Sequence, residues 1–513
     1  MAACLTKLAR MNTPRRIVIL GGGSAGWMSA AALATGLPGV GIELVESEEI
    51  GIIGVGEATF PSIRNFNDIL GIDEADFLAA TRGSYKLGIQ FCDWRQPGEH
   101  YFHTFGDFGH LAGPMALWGQ FRRLGASCEG GLGDFCLPTV MARQGRFRLP
   151  DNGGGLGSRY TYAYHFEASL YAAFLRRLAE ARGARRTEGR VTDVARHEDG
   201  RVRALRLADG REVEGDLFID CSGFAALLIG RTLGQAFVDY SHWLPVDRAW
   251  AVPAERAPGE LLPYTRSTAL EAGWAWRIPL QDRTGHGHVF SSRHIDEDRA
   301  RAQLLAQLDA PPLAEPRLLR FQTGHRERFW QGNVIAIGLA GGFLEPLEST
   351  SIFLVHNALG RLIPLLSQPA SAQAREAFNI QQTRQYQRIR DFIILHYCLS
   401  QRRDSSFWQH VTGMALPDTL AYKLHAWRET GTLHNYDEEG FDETSWLAIH
   451  AGMQHWPQCH SPWMNEVPPE IAARQLTERH AAVAQLAAAM PAHDAFLRQR
   501  VAATAPRQAP SPD

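Results

Sequence analysis

The sequence predicts an α/β fold opening on a nucleotide-binding βαβ unit, and three observations predict it. A β-branched run ends in Gly21-x-Gly23-x-x-Gly26, a small-residue helix follows at once, and a later strand, Leu217–Asp220, ends in the small-residue turn Cys221-Ser222-Gly223. Ile17–Leu20 is the first strand, Ser24 to about Thr35 the helix, and Ile42–Glu46 the second strand. Gly21 allows the tight turn, Gly23 lets a pyrophosphate approach the backbone, and Gly26 lets helix and strand pack closely. The helix N-terminus offers free N–H groups to the anion. Glu46, 20 residues past Gly26, stands where a ribose hydroxyl would be accepted. This unit alone does not decide between NAD and FAD. The second strand, in Gly215–Gly223, favours FAD.

Further alternation marks Leu87–Phe91 and Val202–Leu207 as strands, and apolar spacing marks Ala168–Arg182 as an amphipathic helix. Asp151–Ser158 (DNGGGLGS) reads as a surface connection or lid, because no strand feeds it as one feeds a phosphate cradle. Ala374 to Cys398 is helical, and Asp418 to Met490 mixes helices with Trp- and His-rich segments. The Pro/Ala-rich end after Arg500 is expected to be a disordered tail. No internal repeat is present.

A chain of 513 residues divides into two or three structural units and can bury a large cofactor. With 45% hydrophobic and 21% charged residues it is an ordinary globular composition. Lys and Arg number 52 against 55 Asp and Glu, and a net charge of −3 gives no field for nucleic acid or an anionic membrane. The cysteines, Cys4, Cys92, Cys128, Cys136, Cys221, Cys398 and Cys459, are dispersed and never form a CxxC pair. That reads as a reducing cytoplasm and no metal site. Met1–Arg10 is too polar for a secretory signal, no apolar run reaches bilayer-spanning length, and Met11 is the expected natural start.

Four segments carry a resemblance. Gly21–Trp27 (GGGSAGW), Gly54–Pro61 (GVGEATFP), Trp274–Pro279 (WAWRIP) and Glu345–Ser351 (EPLESTS) occur in the order and rough spacing found in flavin-dependent halogenases of the tryptophan halogenase family. Arg390–Tyr397 is also similar to the broader family. The resemblance implies an FAD-binding Rossmann-like fold of the aromatic hydroxylase and halogenase type, with a mixed substrate-domain sheet and a helical C-terminal region. On that basis residues 14–365 form the FAD-binding core, 366–500 a mainly helical substrate-binding region, and 501–513 the tail. Within the core, nucleotide-binding segments lie at about 14–100, 160–235 and 330–365, and substrate or barrier segments at about 101–159 and 236–329.

The resemblance also implies roles. FAD, used reduced, would be held by Gly21, Gly23, Ser24, Ala25, Gly26, Glu46, Glu57, Ala58, Val191, Leu339 and Ile352. Reduced FAD, oxygen and chloride or bromide would together yield hypohalous acid. A separate NAD(P)H-dependent reductase would supply the reduced flavin, and no second nucleotide fingerprint contradicts this. Lys86 matches the family's catalytic lysine; alternation in Tyr85–Phe91 by itself says only that it faces something polar. Its ammonium can hydrogen-bond hypohalous acid, or its neutral amine can form a haloamine.

Glu348 is the expected carboxylate that stabilises the cationic ring and takes its proton, with Glu345 the rival. Ser349-Thr350-Ser351 precedes a helical face (Ile352, Val355, Ala358, Leu359, Leu362), so these residues are natural N-caps. The family binds halide at the backbone amides corresponding to Thr350 and Ser351, and a helix start contributes only about 0.3–1 kcal/mol to such an anion when exposed. Trp274 and Trp276 alternate onto one strand face as a wall between flavin and substrate. Tyr101, His103 and Phe105 make a flat aromatic surface, of which His103 and Phe105 would sandwich the ring, with Ser349 nearby.

The paired tyrosines and Phe-Trp that grip free tryptophan in the family do not align with Phe441–Trp446 or Ile449–Met453. Free tryptophan is therefore doubtful, and indole, a simple derivative, a phenol or a carrier-bound aromatic stay open. So do two rivals, an FAD-dependent aromatic hydroxylase and a non-catalytic flavoprotein, as does a homodimer.

Overall fold

A computed structural model describes residues 14–49, 56–126, 130–368 and 371–502. Met1–Arg10, Met11, Cys4, Cys128, Gly54 and Val55 lie outside the described residues.

The first strand, Arg16–Leu20, is buried along almost its whole length because parallel neighbours flank it on both sides. It pairs with Gly41–Glu46 and with Leu217–Asp220 in a six-stranded sheet, parallel except for an antiparallel edge strand, Trp330–Gln331. The connecting helix, Ser24–Gly36, is wedged between this sheet and two other helices, Ala168–Ala181 and Ser351–Leu366. Its small residues permit that approach, and at Gly36 the Ile363 side chain fills the place of a Cβ. Gly26 is tighter still, since a Cβ there falls onto the Gly21 carbonyl oxygen. Gly26→Ala is therefore expected to cost at least about 1–3 kcal/mol and to weaken FAD binding, as denaturation and flavin titration would show.

The substrate side is built on a seven-stranded sheet in the order Arg317–Arg320, Arg248–Glu255, Arg283–Phe290, Gly273–Pro279, Thr265–Leu270, Gly88–Cys92 and His100–Thr104. Only Thr265–Leu270 and Gly88–Cys92 run parallel. A small sheet, Gly56–Ala58 with Ala163–Glu167 and Ser84–Lys86, joins the two halves.

The alternation over Tyr85–Phe91 thus belongs to two strands in two sheets. The chain turns at Leu87, whose N–H donates to Pro263 O, and a Cβ at Gly88 would strike the His103 carbonyl. Tyr85, Lys86 and Leu87 are all fully buried, so neither face is solvated. Asp151–Ser158 is a largely exposed loop. The C-terminal region is helical, with Ala372–Cys398, Asp418–Thr430, Glu443–Gly452 and Pro469–Ala488. A last helix, His493–Ala502, runs two residues into the expected tail. Among the described residues no helix is long and apolar enough to cross a membrane.

Candidate active site

Lys86 ends the strand Ser84–Lys86, and pairing with Ala163–Glu167 fixes which way it points. Its Nζ donates to Thr59 O at 2.9 Å and to Ser349 Oγ at 2.8 Å, with 0% exposure. Both partners are neutral, so burial lowers the ammonium to about 7, although the Glu348 charge pulls the other way.

The Glu345–Ser351 segment supplies the opposite wall. Pro346 starts one tight turn, Pro346–Glu348, and Ser349 then adopts φ 60°, a left-handed conformation that costs a non-glycine residue energy. That kink aims the Ser349 hydroxyl at Lys86 while Glu348 points into the interior. Glu348, 2% exposed, has its two oxygens 3.0 and 2.9 Å from His103 Nδ1. His396 Nε2 lies 2.9 Å from Oε1, at ion-pair distance but off the hydrogen-bond direction. Burial alone would raise this carboxyl. The two histidines outweigh it and hold Glu348 at about 2.

The expected N-cap does not form. No side chain caps the helix Ser351–Leu366, because Ser349 Oγ is committed to Lys86 and Thr350 sits in the helical region at φ −91°, ψ −8°. Thr350 Oγ1 is buried without a partner. A buried helix start lacking a cap is left to an external acceptor.

Aromatic rings close around these groups. Lys86 Nζ stands 5.4 Å from the Phe105 ring centre, and Phe60 packs against Phe105, Phe353 and Phe441 at 5.9, 5.1 and 5.5 Å. Phe392 stacks on Phe441 at 3.9 Å, and His103 edges onto Phe392 at 5.6 Å. Tyr101 instead stacks on Phe91 and fills the space beside Gly452.

Trp274 and Trp276 share one face of Gly273–Pro279, with centroids 6.2 Å apart. Gly287 opposite Trp276 leaves room for its ring. Trp274 Nε1 donates to Glu345 Oε1 at 2.9 Å, as does Tyr397 OH at 2.6 Å. Burial pushes Glu345 up to about 7, against those two hydrogen bonds. Glu345 and Glu348 therefore separate: one is engaged with the Trp strand, the other with the histidines.

At the nucleotide end, Gly21 has φ 112° and its position admits no Cβ, while Gly23 has open space above it. Gly338 packs against Ala25, bringing the turn that carries Leu339 beside the glycine helix, and Val191 packs into the same cluster as Val45. Ser24 Oγ donates to Ala168 O. Glu46 Oε1 accepts from Arg186 Nε at 2.5 Å and its other oxygen faces Gly22. Glu57 and Ala58 lie on the joining strand, where burial raises the Glu57 carboxyl to about 7. Ile352 sits in the first turn of the Ser351 helix. An open glycine turn beside a carboxylate is a cradle that fits FAD.

Sequence reading missed Thr59, His396, Tyr397, Arg186 and the rings of Phe60, Phe353, Phe392 and Phe441. His396, Tyr397 and Phe392 lie in the segment already similar to the family, which was the available signal for them.

A Rossmann-like glycine cradle, a Trp-bearing strand and a buried lysine close to a carboxylate and several aromatic rings are the parts expected of a flavin-binding enzyme that acts on an aromatic compound. A sequence profile of the tryptophan halogenase family matches residues 16–469. Tryptophan 6-halogenase SttH of Streptomyces toxytricini is 35% identical over 82% of this chain and 85% of its own. Tryptophan 7-halogenase RebH of Lentzea aerocolonigenes is 33% identical over 94% and 98%. Among solved structures, BrvH, a flavin-dependent halogenase from Brevundimonas sp. BAL3, superposes with TM-score 0.90 at 44% identity, covering 95% of this chain and 99% of its own. Xcc4156, a flavin-dependent halogenase from Xanthomonas campestris, gives 0.91 at 42%, covering 98% and 100%. The chain belongs to the tryptophan halogenase family and is an enzyme that uses FAD in reduced form, oxygen and a halide ion.

Proposed function

We propose that this enzyme halogenates an indole-type ring lacking an amino-acid backbone, and that a separate NAD(P)H-dependent reductase supplies its reduced flavin. The supporting observation is the convergence of Lys86 and Glu348, bridged by Ser349, beside the rings of Phe60, Phe105, Phe392 and Phe441. When bound, reduced FAD with oxygen and halide supplies the oxidised halogen. Thr350 and Ser351 offer the halide their uncapped N–H groups. Lys86 then either hydrogen-bonds hypohalous acid as the ammonium or takes its halogen as the amine, releasing water. Glu348, ionised across the neutral range, stabilises the cationic ring that halogen addition creates.

The aromatic rings argue for the substrate class. A zwitterion buried there would need charged partners, whereas Lys423, 3.9 Å from the Trp446 ring, is already held by Glu439. Incubation with FAD, a flavin reductase, NADH, bromide and either indole or tryptophan tests the proposal. We expect a bromine isotope doublet, formed faster from indole. A hydroxylated product would instead identify a hydroxylase.

A further inference from the structure

The helix Ala372–Cys398 carries Gln385, Arg388, Phe392 and His396 at spacings that put them on one face. At one end of this stripe His396 meets Glu348. In its middle Phe392 stacks on Phe441 and packs against Trp446 at 5.2 Å, and Arg388 follows one turn further on. The aromatic chamber therefore continues along the helix to a guanidinium about 5.4 Å beyond Phe392.

Arg388 is 9% exposed. Its Nε donates to Asp437 O at 3.1 Å and its face lies 4.4 Å from the Tyr436 ring centre, but Nη1 is buried with no partner. Among the described residues no carboxylate stands at ion-pair distance from it. Asp391 holds Arg390 and accepts from Thr419, while Glu439, which feels the Arg388 charge, gives Oε1 to Lys423. Arg388, Arg390 and Lys423 thus face Asp391 and Glu439 with one cation in excess. A buried cation without a counter-ion is costly. Trp446 Nε1, also buried without a partner, adds a second free donor beside Phe392.

We infer that Arg388 is a specificity residue that pairs with a carboxylate on the substrate, so that the preferred indole-type ring carries a short acidic arm and no ammonium. This rests on the substrate reading above and narrows it. With the ring seated against Phe392, an arm of about two or three atoms spans one helical turn. A zwitterion fits less well, because it is neutral overall and leaves the excess cation uncompensated. Glu439 Oε2 and Gln385 Oε1, both buried without a partner, are acceptors suited to an ammonium, so an amine-bearing indole enters the test as the rival.

Wild type, Arg388→Gln and Arg388→Lys are compared with FAD, reductase, NADH and bromide on indole-3-acetate, indole-3-ethanol and tryptamine, and the affinity of each compound is measured separately by calorimetry without turnover. In wild type we expect KM and Kd for the acid to lie at least about tenfold below those for the alcohol. In Arg388→Gln that preference should vanish, and in Arg388→Lys part of it should return. An equal loss on acid and alcohol overturns the proposal, since it shows only a brace for the segment around Asp437. A wild type that shows no preference for the acid, or that prefers tryptamine, overturns it as well, whether or not either variant folds. If wild type brominates none of the three, the halogenation reading fails, and the calorimetric comparison of acid with alcohol still decides the role of Arg388.

Discussion

Lys86→Met is expected to abolish halogenation while leaving FAD binding and flavin reoxidation intact, and to raise thermal stability at neutral pH. The first part follows because, among the described residues, no other amine contacts Ser349 Oγ, and loss of such a group removes about 10²-fold or more. The second follows from burial. The folded state lowers the ammonium from 10.5 to about 7, so at neutral pH the unfolded chain binds the proton more tightly than the native one. At about 1.4 kcal/mol per unit, this disfavours folding by on the order of 4 kcal/mol, offset in the variant by leaving Thr59 O and Ser349 Oγ unpaired. The sign gives a sharper check. Between about 7 and 10.5 the wild type gains stability with rising pH and the variant does not. Thermal melts across that window should show the variant's advantage shrinking. A difference independent of pH would mean that Lys86 is not desolvated.

Glu348→Gln should lower product formation by about 10²–10³-fold without slowing flavin reoxidation. The amide loses the negative charge that stabilises the cationic ring. It also presents a donor as readily as an acceptor, so the short contact to His103 Nδ1 is weakened. In wild type, the stability this carboxylate contributes is fully present above 4.5 and is lost as pH falls towards about 2. The variant should lack that acid-sensitive component. A variant with wild-type turnover on indole would remove Glu348 from the chemistry.

The nucleotide end was legible in the sequence because its requirements are local. Gly26 is demanded by the Gly21 carbonyl a few residues away and, although Gly21 itself faces the distant Cys221 carbonyl, the strand and helix on either side gave it its context. Lys86 was not legible from alternation. Its burial comes from Thr59 and Ser349, and nothing in the sequence near residue 86 encodes residue 349. The expected N-cap failed for a similar reason, since a tertiary partner took the Ser349 hydroxyl. His396 was hidden because a histidine in a long helix reads as core until His103 and Glu348 are placed beside it. The aromatic wall draws Phe60, Phe105, Phe353, Phe392 and Phe441 from separate segments, and no periodicity links them.

The lysine strand has one support from far along the chain. Tyr85 N–H donates to His493 Nε2 at 3.3 Å, His493 Nδ1 donates to Leu261 O at 2.8 Å, and Arg500 reaches Glu74, which also accepts from Tyr85, Tyr162 and Tyr164. Tyr85 and His493 are separated by 408 positions. The backbone next to Lys86 is therefore completed only by a contact between segments far apart in sequence, the kind whose loop-closure entropy delays it in folding.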